Sequence, residues 1–257
     1  MFDGGVLEVA DPARFQLKRE DVAETNLSVA CFLVVHAKGV LLWDACSVSD
    51  SEWTPTGAPV KHHIVLPDKQ ERDVTIVKPL KAQLADAGYS PADITHLALS
   101  HYHYDHTANA NDYARATWLV QRAERDAMFA DPPPGVTRPS TYAALRTSNT
   151  VIIEGGEHDV FGDGTVILKS TPGHTPGHQV LYVRLAKAGD VVLSGDLYHY
   201  PEEITYKKIP PFDSDKDQTA KSRAMIEEFV KKNHAQLWIQ HDYTSGIKRK
   251  IAPEFYE

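Results

Sequence analysis

Four potential metal ligands lie within six residues of one another: His101, His103, Asp105 and His106. They follow an apolar run of strand length, residues 94–99, which would deliver them to a sheet edge. In extended backbone, His101 and His103 point to the same side, and two neutral imidazoles there form half of a zinc shell. Asp105 and His106 project elsewhere and could serve a second metal. Because burying these groups without a cation is costly, the segment predicts a metal site rather than a solvated histidine-rich loop.

Three further motifs each follow an apolar, strand-like run. They are a doubled Thr-Pro-Gly-His over residues 171–178, Ser-Gly-Asp at 194–196 and Gln-His-Asp at 240–242. Together with the first segment, and in this order, they resemble the metallo-β-lactamase superfamily. The combination spans nearly the whole chain and is highly specific, whereas each motif alone is only moderately so.

The resemblance implies a dinuclear metal site. The implied ligands of the first metal are His101, His103 and His174, those of the second are Asp105, His106 and His241, and the ligand shared by both is Asp196. A hydroxide would complete the bridge, and a mononuclear site is the alternative. Zinc suits histidine and carboxylate ligands best, although iron, cobalt and manganese accept them too.

The residue at position 196 separates branches of the superfamily. β-Lactamases usually carry Cys or Ser where this chain has Asp196, whereas a bridging Asp resembles lactonases, glyoxalase II-type thioesterases and organophosphate hydrolases. Residues 195–200, 210–215 and 238–242 are most similar to the N-acyl homoserine lactonase-like group. The resemblance therefore implies a metal-dependent hydrolase that opens an N-acyl homoserine lactone, or a similar lactone, by attack of a metal-bridging hydroxide.

Four residues are candidates for a catalytic role beside the metals. Asp105 could steer a proton to the leaving oxygen. His199 stands three residues after the bridging Asp196, where the best-known lactonases have a catalytic Tyr, and this also resembles the organophosphate-hydrolase branch. In an extended segment His199 would project opposite to Tyr198 and Tyr200, so the donor that orients the oxyanion could be of either residue type.

Other reactions of the same scaffold stay open, namely hydrolysis of phosphotriesters, thioesters or β-lactams, because a fold does not fix a function. A metal-binding scaffold without turnover conflicts with the unbroken ligand set. The chain has no Gly-X-Ser-X-Gly nucleophile elbow and no phosphate-binding glycine loop. We therefore expect a small-molecule lactone or ester as the partner.

Composition restricts the partners and the location. The 257 residues include 27 Lys and Arg against 35 Asp and Glu, a net charge of −8, which leaves no basic excess for a nucleic-acid partner. No apolar run approaches the roughly 20 residues that cross a bilayer, and no signal peptide is visible. We expect a cytoplasmic protein without a membrane or nucleic-acid partner. The sequence does not predict the oligomeric state.

Several residues near these motifs are expected to have structural roles. Cys31 and Cys46 are expected to be small buried hydrophobes, with a disulfide between them as the alternative. Asp44 is expected to hold loops by hydrogen bonds, and His178 to support a ligand without binding metal. His62 and His63 are expected to be an exposed loop pair.

Strand-like runs and helix signals together indicate the α/β class. Helices are expected over residues 80–87 and 213–232, and residues 111–129 are rich in helix formers. Long irregular stretches over 47–75 and 131–150 could roof the metal cleft. The resemblance adds the architecture, an αβ/βα four-layer sandwich of two mixed β-sheets with outer helices. It implies one domain over residues 1–257, with two pseudo-equivalent halves that divide near residue 150.

Overall fold

A computed structural model describes residues 1–257 as two β-sheets with helices around them. The strands are β1 (Phe2–Leu7), β2 (Leu27–His36), β3 (Gly39–Trp43), β4 (Val60–Val65), β5 (Glu71–Ile76), β6 (His96–Ala98), β7 (Thr117–Gln121), β8 (Thr150–Ile153), β9 (Glu157–Asp159), β10 (Val166–Ser170), β11 (Gln179–Leu185), β12 (Gly189–Leu193) and β13 (Gln236–Trp238). The α-helices are α1 (Leu80–Asp86), α2 (Tyr104–Thr107), α3 (Arg122–Met128), α4 (Pro139–Tyr142), α5 (Glu202–Tyr206), α6 (Lys216–Asn233) and α7 (Tyr243–Gly246). Short 3-10 turns cover Pro12–Phe15, Arg19–Asp21, Pro91–Asp93, Ala110–Tyr113, Ala143–Thr147 and Gly195–Leu197.

Both sheets mix parallel and antiparallel strands. The larger sheet has the order β4-β5-β1-β2-β3-β6-β7-β8, and the smaller one β13-β12-β11-β10-β9. In the larger sheet β3, β6, β7 and β8 run parallel, and the other pairs are antiparallel. In the smaller sheet only β12 and β13 run parallel. Two mixed sheets are therefore present, as predicted.

The buried apolar clusters define the layers. Between the sheets, Phe32 and Trp43 of the larger sheet pack in one cluster with Leu181 and Leu193 of the smaller sheet. Alternate residues of a strand face opposite sides, so each sheet also presents an outer apolar face that must be covered. Helices cover both faces, which gives the helix–sheet–sheet–helix order predicted from the resemblance.

On the outer face of the larger sheet, Leu84 of α1 and Met128 of α3 pack in one cluster with Trp118 of β7. On the outer face of the smaller sheet, Ile226 of α6 packs with Tyr182 of β11. No helix combines the length and the apolar composition needed to cross a bilayer. The division into two equivalent halves near residue 150 stays a prediction.

Three predictions of local structure are wrong. Residues 117–121, inside the stretch rich in helix formers, form the central strand β7, because Trp118, Leu119 and Val120 are all buried in the parallel part of the sheet. Residues 60–76, which lie almost entirely inside the long loop expected over 47–75, form the antiparallel hairpin β4–β5. His62 and His63 are therefore strand residues and not the exposed loop pair that was expected. Within 131–150, the prediction of irregular structure misses α4 and the 3-10 turn after it.

Cys31 and Cys46 lie side by side rather than apart. Both are buried, their Cα atoms are 5.5 Å apart, and a disulfide joins β2 to the loop after β3. The expected burial of both cysteines is confirmed, but the alternative of one disulfide, rather than two unpaired small hydrophobes, is the arrangement in the structure.

Candidate metal centre

The predicted ligand motifs all lie at one edge of the sandwich. Residues 101–106 follow β6, Asp196 follows β12 and His241 follows β13, and each of these strands ends there after running parallel to a neighbour. His174 joins them from the loop between β10 and β11. Because carboxyl ends of parallel strands meet at the same edge of a sheet, ligands distant in the sequence converge.

The seven predicted ligands form two adjoining groups. Within each group the ligand atoms lie within 4.8 Å of one another. The first group is His101, His103, His174 and Asp196, and the second is Asp105, His106 and His241. All are buried except His103, which is partly exposed.

The carboxylate of Asp196 faces both groups. Its Oδ2 lies 3.5 Å from Nε2 of His101 and 3.4 Å from Nε2 of His174, both in the first group. Its Oδ1 lies 3.0 Å from Nε2 of both His106 and His241 in the second group. Burial by itself would raise the pKa of Asp196, but the surrounding histidines hold that pKa well below its ordinary value. Asp196 thus has the position expected of a shared, ionised ligand.

Three buried atoms of this cluster have no partner in hydrogen-bonding geometry, although Asp196 Oδ1 lies 3.0 Å from His106 Nε2. They are Nε2 of His101, Nε2 of His106 and Oδ1 of Asp196. Buried polar atoms are normally paired, so their common orientation into one space needs an explanation. Imidazole nitrogens and carboxylate oxygens are the donors that zinc and similar ions prefer. The residues present therefore fit divalent metal ions.

The Nδ1 atoms of four ligand histidines point away from the cluster and are hydrogen-bonded to other groups. The pairs are His106 Nδ1 with Asp44 Oδ2 at 2.9 Å, His174 Nδ1 with Asp213 Oδ1 at 2.9 Å, His241 Nδ1 with the Ser28 carbonyl at 2.7 Å, and His101 Nδ1 with Ser100 Oγ at 3.0 Å. Such partners fix the tautomer and the orientation of the ring, leaving Nε2 free to bind metal. Of these partners, only Asp44 was predicted from the sequence to hydrogen-bond near the site.

His178 supports Asp196, as predicted. Its Nε2 accepts a hydrogen bond from the Asp196 backbone N–H at 3.0 Å, and its Nδ1 donates to Thr171 Oγ1 at 2.8 Å. Burial lowers the pKa of His178 to about 3, so the ring is neutral at pH 7. A neutral ring is required here, because a protonated Nε2 could not accept from the backbone.

Glu124 connects the two histidine loops and has no signal in the sequence. Its buried carboxylate accepts hydrogen bonds from the Tyr102 N–H at 2.7 Å, the Gly177 N–H at 2.8 Å and the Thr175 hydroxyl at 2.8 Å. A Cβ at Gly177 would overlap the Glu124 backbone nitrogen. The second glycine of the doubled motif therefore allows α3 to approach the loop closely.

Gln240 connects the two sheets behind the ligands. Its Oε1 accepts from the Trp43 indole at 2.8 Å and the Gly195 N–H at 2.9 Å. Its Nε2 donates to Asp44 Oδ2 at 2.8 Å and the Ala30 carbonyl at 3.1 Å. The Gln-His-Asp motif pointed to His241, whereas the role of the preceding glutamine was missed.

The structure separates the candidates at positions 198–200. His199 Nε2 lies 3.2 Å from Asp196 Oδ2, so this ring faces the ligand cluster. The Tyr198 hydroxyl instead donates to Glu227 at 2.6 Å, and the Tyr200 hydroxyl donates to the Thr25 carbonyl. Both tyrosines are thereby turned away from the metal ligands.

A cavity of about 540 Å³ opens over the ligands, and Asp105, Asp196 and His199 line it. Asp105 Oδ2 lies 3.8 Å from His241 Nε2. His62 and His63 lie on strand β4 and belong to neither ligand group, and His63 Nδ1 is 2.8 Å from Asp73. His199 and five of the seven predicted ligands therefore line the cavity, whereas Tyr198 and Tyr200 do not. The five ligands are His103, Asp105, His174, Asp196 and His241.

The fold and the ligand set together define a class. The family model of the metallo-beta-lactamase superfamily matches residues 25–232, and the chain belongs to this superfamily. Among curated relatives, N-acyl homoserine lactonase AiiA of Bacillus thuringiensis subsp. kurstaki is 30% identical over 233 residues, covering 90% of this chain and 87% of that protein. N-acyl homoserine lactonase AttM of Agrobacterium fabrum is 29% identical over 238 residues, covering 91% and 89%.

A solved structure confirms the fold. An N-acyl homoserine lactone hydrolase with the product N-hexanoyl-L-homoserine bound at its catalytic metal centre superposes with a TM-score of 0.78. The match covers 100% of this chain and 97% of that one, at 24% sequence identity. The predicted resemblance to the superfamily and to its lactonase-like group is thus confirmed.

Proposed function

We propose that this protein is a metal-dependent hydrolase that opens the ring of N-acyl homoserine lactones or similar lactones. The observation that carries the proposal is the position of Asp196, with one oxygen facing each histidine group. The lactonase names of relatives that share nearly the full length of the chain support it. They also favour a lactone over the phosphotriester, thioester and β-lactam alternatives.

Zinc is the proposed metal, with two ions per chain. The first ion would be held by His101, His103 and His174, the second by Asp105, His106 and His241, and both by Asp196. When bound, two such ions supply a water of lowered pKa and polarise the carbonyl of the substrate. A small-molecule lactone is the proposed partner, and a cytoplasmic location stays a prediction of the sequence.

The chain's own residues position and protonate the substrate. His199 Nε2 faces the cavity beside Asp196, where it can donate a hydrogen bond to the carbonyl oxygen as negative charge develops on it. Asp105 also lines the cavity, and its carboxylate can carry a proton to the departing ring oxygen. Tyr198 and Tyr200 have no part in the proposal, because their hydroxyls are engaged elsewhere.

The test measures acid release from N-hexanoyl-homoserine lactone by zinc-loaded protein, together with metal content. We expect turnover that Asp196→Ala abolishes, while Asp217→Ala, an exposed aspartate of α6, leaves it intact. Two bound metals without lactone hydrolysis would overturn the lactonase assignment but not the metal site. A protein that binds no metal would overturn both.

A further inference from the structure

Two arginines in the substrate cleft have no carboxylate partner. Arg14, from the 3-10 turn Pro12–Phe15, and Arg72, from β5, line the same cavity as Asp105, Asp196 and His199. Neither guanidinium forms an ion pair, and that of Arg14 has no hydrogen bond to the protein. Unpaired cations beside a proposed ester-hydrolysing centre point to a ligand with negative charge.

Three acidic residues that line the same cavity contact groups other than the two arginines. Glu8 is paired with Lys61 at 2.6 Å, Glu71 lies 3.8 Å from His63, and Asp11 accepts a hydrogen bond from the Ala13 N–H at 2.9 Å. Arg72 donates to the Glu71 backbone carbonyl at 2.8 Å and to the Gln70 side-chain carbonyl. Both acceptors are neutral, so they do not compensate the charge of Arg72. None of these carboxylates lies within 4.0 Å of either guanidinium group, so neither arginine is held in an ion pair.

The two guanidinium groups are close enough to affect each other. Arg14 lies over the rings of Phe15 and Phe212, at 5.2 and 5.1 Å from their centroids. Partial burial there, together with the positive charge of Arg72, lowers the pKa of Arg14. Two like charges in one cleft repel each other, and a bound anion would relieve that repulsion.

A third group completes the arrangement. Tyr104 is 4% exposed and lines the same cavity, and its buried hydroxyl has no hydrogen-bond partner. A hydroxyl can donate to an anion, and buried hydroxyls are seldom left unpaired. Tyr104 and the two arginines thus supply neutral and charged donors to the same cavity.

We propose that Arg14, Arg72 and Tyr104 form a subsite for a carboxylate, so that the preferred substrates are lactones whose acyl chain ends in a carboxylate. This proposal rests on the proposed lactonase function, because the same cavity holds the scissile ring. Guanidinium groups bind carboxylates through charge-assisted hydrogen bonds, which are stronger than neutral ones. Since the contact would be made with the end of the acyl chain and not with the scissile bond, it would act on KM more than on kcat.

The test compares two lactones that differ only in charge. These are homoserine lactone acylated with adipic acid, whose chain ends in a carboxylate, and the same compound with a terminal carboxamide. We expect zinc-loaded protein to favour the carboxylate by roughly tenfold or more in kcat/KM, and this ratio to fall as salt is raised. In Arg14→Gln and Arg72→Gln the ratio should approach one, and Tyr104→Phe should reduce it without removing packing.

Arg19→Gln is the matched control, because Arg19 is a nearby arginine outside the cavity. Its ratio should equal that of the unmodified protein. Hydrolysis of both lactones at equal rates, or a preference that survives both cleft substitutions, would overturn the subsite and leave the lactonase function standing. If neither lactone is opened although metal-loaded protein opens N-hexanoyl-homoserine lactone, the subsite is overturned and the lactonase function stands. If none of the three lactones is opened, the lactonase function fails and the subsite fails with it.

Discussion

The carboxylate of Glu203 holds the His199 ring from behind, with Oε1 3.2 Å from Nδ1. Its other oxygen accepts from Arg223, which also donates to the Leu197 carbonyl at 2.8 Å. Glu203 and Arg223 are both buried, so the pair lies in a site from which water is excluded. This arrangement fixes the orientation of the ring and directs Nε2 towards Asp196.

Glu203→Gln tests this positioning role. We expect kcat for the lactone to fall roughly 10- to 100-fold, as is common when the partner of a site residue is removed, with metal content unchanged. Burial would lower the pKa of His199, but Glu203 and Asp196 raise it to about 9. Losing the carboxylate should therefore move the alkaline limb of the pH–rate profile to lower pH.

The matched control is Glu202→Gln, at the neighbouring, partly exposed position of α5. It should keep both the rate and the pH profile. A Glu203→Gln protein with unchanged kcat and an unchanged alkaline limb would rule out the positioning role. A loss of metal from that variant would show that Glu203 acts on the metal site instead.

Gln240→Ala should destabilise the whole fold. The substitution leaves the Trp43 indole, the Gly195 N–H and the Ala30 carbonyl buried without their present partner. Each unsatisfied buried group costs about 1–3 kcal/mol, so we expect a loss of roughly 3 kcal/mol or more in the free energy of unfolding. Urea titration measures it. Gln236→Ala, at an exposed glutamine that begins strand β13, should cost under about 1 kcal/mol.

Removal of metal should lower the thermal midpoint. Without a cation, the buried Nε2 atoms of His101 and His106 and the Oδ1 of Asp196 have no partner in hydrogen-bonding geometry. Binding to the folded state alone stabilises by about 2.7 kcal/mol per site at 100-fold excess over Kd, which corresponds to roughly 5–10 °C. Scanning calorimetry with chelator and with added zinc measures this shift. An Asp196→Ala protein that shows the same shift would contradict the shared ligand.

The metal ligands could be predicted because four of them stand close together in the sequence and the other three follow from the family resemblance. His101, His103, Asp105 and His106 stand within six residues, and the strand before them indicates where they point. The supporting residues were not predictable, because their partners lie far away in the sequence. Glu124 meets Thr175 across 51 residues, and no spacing rule marks a glutamate on a helix as such a connector.

Errors in the fold have equally specific causes. Strand β7 was not predicted because a strand buried on both faces lacks the alternation of apolar and polar residues. Alanines and charged helix formers also flank it in the sequence. The hairpin β4–β5 was not predicted because the prolines and the glycine at residues 55–59 indicate a loop, and β4 begins directly after them. The sequence at residues 198–200 suggested three alternative donors, and only tertiary contacts with Glu227 and Thr25 turn the two tyrosines away.

His178 should make the metal-free protein sensitive to acid. Its pKa is about 3 in the folded protein because of burial, against an ordinary value of 6.5. Between these values the unfolded chain binds the proton and the folded protein does not, so stability is full above pH 6.5 and falls as the pH drops. One such group contributes a slope of about 1.4 kcal/mol per pH unit. In His178→Asn, which removes the titrating ring, we expect a shallower slope. Urea titrations of chelated protein from pH 4 to pH 7 measure both slopes, and equal slopes would show that other histidines account for the acid sensitivity.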